Sequence, residues 1–158
     1  MMILCPHFLI DIMKNLVIIG AGGMGRTIFD AARERIGYGI EYTIKGFIDD
    51  NLSALDGFED YPPMLGTISH YLPEVDDVFT FSIGGESRRV CIEYLMERNA
   101  KFINIVHSTA RIGSNVRMGE GNVIGAFTSL GADCSIGSYN MIQSYTVIGH
   151  DAKIGDFN

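Results

Sequence analysis

Residues 106–158 read VHSTARIGSNVRMGEGNVIGAFTSLGADCSIGSYNMIQSYTVIGHDAKIGDFN, and one register runs through all of them. Val106, Ile112, Met118, Ile124, Leu130, Ile136, Ile142, Ile148 and Ile154 stand six apart, and every one is aliphatic or Met. Glycine follows at seven of these nine places, with His107 and Gln143 as the exceptions. Four residues after each aliphatic position comes a small or modest side chain, from Ala110 and Val116 to Ala152 and Asn158. Neither the 3.6-residue period of a helix nor the alternation of a strand generates a period of six. A hexapeptide repeat builds a parallel β-helix, one short strand and one turn to each hexad.

A longer period lies inside the first. The four-after positions give Val116, Cys134 and Ala152, then Asn122, Asn140 and Asn158, then Thr128 and Thr146, each set 18 residues apart. Three hexads therefore make one coil, and equivalent residues stack coil upon coil. Asn on Asn and Thr on Thr should form ladders that hydrogen-bond along the stack. Cys134 reads as a small buried hydrophobe. The segment amounts to about three coils, ~14 Å tall at the usual strand spacing. It stops at Asn158, inside a hexad and without a capping repeat, and so reads as a β-helix truncated after about three coils.

Upstream, the chain follows another rule. Residues 14–19 (KNLVII) form an apolar run that ends at glycine, the pattern of a buried strand. Gly20, Gly22, Gly23 and Gly25 follow as GAGGMG, a G-x-G-x-x-G match. Met24, Ile28, Ala32 and Ile36 then recur every fourth residue among charged neighbours, which predicts an amphipathic helix closing near Gly37. Further strands are expected at 41–48, 78–83 and 102–106, and a loop at 51–66. A helix at 86–99 is expected to bury Val90, Cys91, Tyr94 and Leu95. Alternating strands and helices imply a parallel α/β sheet, Rossmann-like but short. Ligands of such sheets bind beyond the carboxyl ends of the strands. Three turns meet there: 20–25, Asp49 with Asp50, and 82–86 with Gly84 and Gly85. The glycine turn suits phosphate, because bare backbone and a helix N-terminus present free N–H groups. Asp49 or Asp50 can accept from a ribose hydroxyl or a base N–H, and Arg89 can neutralise phosphate.

Composition narrows the functions. Twelve basic residues against 19 acidic ones, a net charge of −7, leave no electrostatic footprint for a nucleic-acid polymer. No apolar run approaches the ~20 residues of a bilayer span, and 1–12 has neither a basic n-region nor a cleavage site, so no membrane partner is expected. Cys5, Cys91 and Cys134 are odd in number and far apart, which suits neither a disulfide framework nor a zinc site. A cytoplasmic protein without bound metal is expected. The organisation is 1–12 as an extension without assigned role, 13–105 as a Rossmann-like domain for a nucleotide-type ligand, dinucleotide or nucleotide-sugar, and 106–158 as an incomplete β-helix domain.

The stretches 15–32 (NLVIIGAGGMGRTIFDAA), 46–50 (GFIDD), 82–89 (SIGGESRR) and 104–157 together resemble the bacterial sugar acyltransferases of the sialic acid O-acetyltransferase type. That family includes the N-acetyltransferases acting on UDP-4-amino-sugars. The most specific match is VIGHDAKIG at 147–155. The resemblance implies a left-handed β-helix and a homotrimer holding acetyl-CoA between neighbouring subunits. It also implies a nucleotide-sugar or sialic-acid-like small molecule on the N-terminal domain. His150 matches the family's catalytic base and Asp151 its neighbouring carboxylate, while His107 matches a structural junction. The expected function is acetyl transfer from acetyl-CoA to an amino, or a hydroxyl, group of a nucleotide-activated or acidic sugar in surface-glycan biosynthesis. The alternative is a truncated, catalytically poor nucleotide-sugar-binding module. An oxidoreductase resting on the glycine motif alone is the weakest reading, because four expected strands are too few for a full dinucleotide fold.

Overall fold

The computed structural model describes residues 13–35 and 37–158; the extension 1–12 and Ile36 lie outside the described residues. The first elements are β1 (Lys14–Ile19), α1 (Gly23–Glu34), β2 (Tyr42–Ile48), β3 (Met64–Gly66), β4 (Asp77–Phe81), α2 (Gly85–Met96) and β5 (Lys101–Phe102). The five strands form one parallel sheet in the order β3-β2-β1-β4-β5. Within β1, Leu16 and Ile18 pack with Ile28, Phe29 and Ala32 of α1. Val17 and Ile19, one residue out of phase, pack with Ile92 and Leu95 of α2. Side chains of a strand alternate between faces, so the two helices cover opposite faces of the sheet. The reversal falls between β1 and β4, with both strands buried on either side, which explains the uninterrupted apolar run at 16–19.

Three local expectations are corrected. The segment 51–66 is not all loop, because Met64 and Gly66 pair with Phe47 and Ile48 as an edge strand. On α2 the buried side chains are Arg88, Ile92 and Leu95. Cys91 and Tyr94 are half-buried and Val90 is 66% exposed. The inward face is thus one residue away from the apolar count, because Arg88 finds carbonyl partners on the second domain. Met24 likewise lies on the surface of α1.

From β6 (Ile105–Val106) the chain winds through β7 (Arg111–Ile112), β8 (Arg117–Met118), β9 (Val123–Ile124), β10 (Ser129–Leu130), β11 (Ser135–Ile136), β12 (Met141–Ile142), β13 (Val147–Ile148) and β14 (Lys153–Ile154). These pair as three parallel sheets, β6-β9-β12, β7-β10-β13 and β8-β11-β14, the faces of a left-handed parallel β-helix. The interior is the six-residue register itself: Ile124, Leu130, Ile136 and Ile142 are buried, flanked by Val106, Met118, Ile148 and Ile154. The glycines follow from stacking, since a Cβ on Gly131 would meet the backbone nitrogen of His150 at 2.5 Å. The Asn ladder forms and starts one coil earlier than expected, at Asn104. Each Asn of the next coil donates its backbone N–H and its side-chain amide to the Oδ1 below, as Asn140 does to Asn122 at 3.0 Å each. The Thr pair is different. Thr128 and Thr146 both donate to the carbonyl of Gln143, at 3.1 and 2.7 Å, because a hydroxyl is too short to reach its stacked partner. Cys134 is fully buried and its thiol donates to the Gly149 carbonyl.

The β-helix is fixed to the sheet at two places. Ile105 and Val123 join the α1-side core. On the α2 side, Tyr139 meets Phe102 edge-on at 5.5 Å. There Arg88 donates to the carbonyls of Ile83, Tyr139 and Asn158. Among the described residues, no helix is long and apolar enough to cross a membrane.

At the far edge of the sheet Asp77 is buried beneath Lys45, Tyr71 and the Glu74 N–H, all bonding to its carboxylate. Burial alone would raise its pKa, but these donors outweigh it and hold the carboxyl below its ordinary value. The same burial, with the hydrogen bond to Asp77, pushes the Tyr71 hydroxyl up to about 12. A depressed carboxyl stabilises the fold above its unfolded pKa, and that stabilisation is lost as pH falls through the folded value. Asp77→Asn should therefore be less stable than the parent at neutral pH and lose less stability on acidification below about pH 4. Urea melts from pH 6 to 2 test this, and parallel curves for the two proteins would refute it.

Candidate active site

The carboxyl ends of β1, β2 and β4 converge at the point where the helices change face. Gly20 follows β1 with φ +93°, and a Cβ there would collide with the Ser82 hydroxyl. Ser82, just after β4, is placed to donate to the carbonyls of Ile19 and Gly20, both at 3.0 Å. Gly25 sits against the Gly20 carbonyl, where a side chain has no room. Both glycines are thus demanded by the strand–turn–helix packing itself.

Gly22 and Gly84 are different. They are the N-cap residues of α1 and α2, with extended backbone (φ −69° and −103°) and no capping side chain. A Cβ on either would meet nothing within 4 Å. Ser, Thr, Asp or Asn would cap these helices better. Neither torsion nor packing calls for glycine, so both turns leave bare backbone facing open space. Gly23 opens α1 and is exposed, and Gly85 takes the left-handed conformation at φ +66°. The two helix N-termini flanking β1 and β4 form a crevice able to receive an anion on backbone N–H groups.

Asp49 and Asp50 lie at the end of β2, at the crevice, and the structure also employs them as fasteners. Asp49 Oδ2 accepts from the Ala21 N–H at 2.7 Å and Oδ1 from the Asn51 N–H at 2.8 Å. Asp50 Oδ1 accepts from the Ile68 N–H at 3.1 Å. Arg89 is engaged elsewhere: it pairs with Glu93 at 2.9 Å and stands over the Phe157 ring of the β-helix. Arg26 belongs to no motif or period in the sequence and stands out only in the structure. It is half-buried on the first turns of α1, with its guanidinium stacked 3.7 Å from the centroid of the Phe58 ring.

His150 and Asp151 form the corner between β13 and β14. Asp151 takes a left-handed conformation (φ +59°) and its N–H donates to the Ala132 carbonyl one coil below. His150 Nδ1 lies 2.6 Å from Asp151 Oδ2, and both side chains are exposed. A carboxylate only accepts, so Nδ1 is the donor in this contact and Nε2 is the ring nitrogen that Asp151 leaves unengaged. The corner thus holds an exposed imidazole whose ring is oriented by its neighbouring carboxylate. His107 instead sits at the domain junction, accepting from Thr109 at Nδ1 and donating from Nε2 to Glu34 at 2.7 Å.

The family profile for the PglD N-terminal domain matches residues 15–95, which take in β1 to β4 and both helices of the crevice but for one end residue each of β1 and α2. The chain belongs to the PglD N-terminal domain family. Beyond the profile, the chain is 31% identical over 117 residues to the UDP-N-acetylbacillosamine N-acetyltransferase of Bacillus subtilis (strain 168). That match takes in 71% of this chain and 51% of the relative, so the chain spans about half the relative's length. Three solved structures share the fold. The acetyltransferase domain of PglB from Neisseria gonorrhoeae FA1090, in complex with acetyl coenzyme A, superposes with a TM-score of 0.73 at 20% identity, covering 92% of this chain and 69% of that one. PerB from Caulobacter crescentus, in complex with CoA and GDP-perosamine, gives 0.73 at 23%, covering 92% and 67%. WeeI from Acinetobacter baumannii AYE gives 0.75 at 24%, covering 92% and 68%. In each, the superposition runs through this chain's PglD N-terminal domain and on into its β-helix.

Proposed function

We propose that the chain belongs to a sugar acetyltransferase, moving an acetyl group from acetyl-CoA to an amino, or a hydroxyl, group of a nucleotide-activated sugar in surface-glycan biosynthesis. The observation that carries the reading is the joining, in one chain, of two chemically distinct features. One is a crevice of bare backbone between two helix N-termini; the other is a β-helix corner bearing the oriented His150–Asp151 pair. Residues 13–105 hold the nucleotide half of the substrate, and 106–158 supply the base. The relatives' names agree with this division: one acts on a UDP-sugar, and another was solved with CoA and a GDP-sugar.

His150 Nε2 takes a proton from the acceptor nitrogen as that nitrogen attacks the thioester carbonyl carbon. A C–N bond forms, the C–S bond breaks, and the CoA thiolate leaves with the proton that His150 returns. Asp151 holds the ring in the required tautomer and favours the imidazolium as it forms. Acetyl-CoA is a co-substrate here, and the chemistry calls for no metal. The exposed stack of Phe127 on Tyr145, with Val147 beside it at 77% exposure, favours a homotrimer in which a neighbouring β-helix covers this face. Free thiols at Cys91 and Cys134 favour the cytoplasm.

A second reading, a nucleotide-sugar-binding module with little turnover, is favoured by the crevice's being built entirely from residues of the N-terminal domain. Calorimetric titration with UDP, GDP, CoA and NAD separates these. The acetyltransferase reading expects a nucleoside diphosphate and CoA to bind, the binding module only the former, and a dehydrogenase NAD. Gly22→Val tests the crevice. Valine accepts the backbone angles of Gly22, so the fold should stand while the side chain fills the space a phosphate needs. The Kd for the preferred diphosphate should rise at least about tenfold. An unchanged Kd would remove the ligand from this turn.

A further inference from the structure

We propose, resting on the crevice reading above, that Arg26 is the side chain that recognises the phosphate charge of a bound nucleoside diphosphate, and that Phe58 holds it in readiness. The first turn of α1 contains no acidic residue. Arg26 makes no ion pair among the described residues, in a chain that carries 19 acidic side chains against 12 basic ones. One end of its environment is the Phe58 ring, 3.7 Å from the guanidinium carbon, a distance suited to cation–π attraction. The other end is the glycine turn, where Nη2 lies 3.9 Å from the place a Cβ on Gly23 would occupy. The guanidinium therefore overhangs the opening of α1 at Gly23, the residue after the bare N-cap Gly22.

Phe58 is itself well supported. Residues 51–58 run as successive turns, with the Ala54, Asp56 and Phe58 N–H groups donating to Asn51, Ser53 and Leu55 at 3.0 Å each. Ala54 and Leu55 pack against the α1-side core. Asp49 anchors both ends of the arrangement, holding Ala21 of the glycine turn with one oxygen and Asn51 of the loop with the other. Stacking occupies a face of the guanidinium but leaves its N–H donors free, because these lie in the plane of the group. A phosphate approaching the α1 N-terminus can thus be gripped edge-on by two parallel N–H donors, at little cost in side-chain ordering. The corresponding position on α2 is Arg88, which is buried and spent on the carbonyls of Ile83, Tyr139 and Asn158, while Glu86 stands in the first turn and Arg89 is tied to Glu93. The phosphate grip is therefore one-sided and belongs to α1.

The test is calorimetric titration of the whole chain and its Arg26→Gln, Arg26→Lys and Phe58→Leu variants with UDP, GDP, and the matching monophosphates and nucleosides. Arg26→Gln should weaken whichever diphosphate the parent prefers by about 10–100-fold, the usual weight of a charge-assisted contact. It should leave the nucleoside unaffected, a distinction that a merely structural arginine would not make. Arg26→Lys should recover part of the loss, and Phe58→Leu should cost about 2–5-fold. The proposal is overturned if Arg26→Gln binds the diphosphate within twofold of the parent while Gly22→Val does not bind it. It is equally overturned if Arg26→Gln weakens nucleoside and diphosphate alike. A parent that binds neither UDP nor GDP overturns the crevice reading together with this one.

Discussion

Replacing His150 by Ala is expected to lower kcat for acetyl transfer by about 10²–10⁴-fold while nucleotide affinity stays unchanged. The expectation follows from where the structure spends its hydrogen bonds. Asp151 is fixed by its backbone to Ala132, and its side chain is aimed at His150 Nδ1 alone among the described residues. The imidazole thus offers Nε2 to a substrate without first having to turn. The crevice proposed for the nucleotide lies on other elements, so losing the imidazole should leave binding there intact. Asp151→Asn should cost less, and its backbone should tolerate the change, because Asn115 occupies the equivalent left-handed corner two coils below. The assay is release of CoA thiol with an amino-sugar nucleotide. Retention of most activity by His150→Ala would reduce the pair to a surface turn.

The second large effect is on stability. Asn140 is fully buried in the ladder, and every one of its polar groups is used. It donates twice to Asn122 Oδ1 and once to the Gly155 carbonyl at 2.8 Å. Its own Oδ1 accepts from the Asn158 N–H at 2.8 Å and from the Asn158 amide at 3.0 Å. Asn140→Ala keeps only its backbone bonds, removes one of the two donors to Asn122 Oδ1 and leaves the Gly155 carbonyl and the Asn158 N–H and amide without their partner, a cost of about 2–3 kcal/mol. Thr146→Ala, at a half-buried four-after position, should cost well under half of that. Equilibrium urea unfolding followed by circular dichroism measures both. A loss below about 1 kcal/mol for Asn140→Ala would mean that the ladder is incidental to the stack.

The β-helix was legible in the sequence because each hexad states its own geometry. An aliphatic residue, a glycine and a small residue recur with no help from the rest of the molecule. Even the Asn ladder followed from spacing alone, although its first rung, Asn104, precedes the aliphatic register and was missed. The parallel sheet was legible from alternation, whereas β3 was not. Three residues after a Pro-Pro pair carry no periodicity, and only the exposed edge of β2 makes them a strand. The buried face of α2 was misjudged for a related reason. Arg88 is suited to the interior only because Tyr139 and Asn158, more than fifty residues on, supply carbonyls to its guanidinium. Arg26 was passed over because its meaning depends on Phe58, which reaches it from a loop that the sequence leaves without a pattern. Repeats and alternation are local, whereas single contacts between distant segments leave no trace in spacing.

The two-point attachment of the β-helix has a geometrical consequence. A swivel about the linker at 103–104 would have to break the packing of Ile105 and Val123 on one side of the sheet and the Arg88 bonds on the other. The crevice and the His150 corner therefore keep a fixed separation, and the chain works as a ruler. On the proposed function, whatever spans that gap would have to do so by its own length, and an acceptor group one bond too near or too far along the sugar would be rejected by reach.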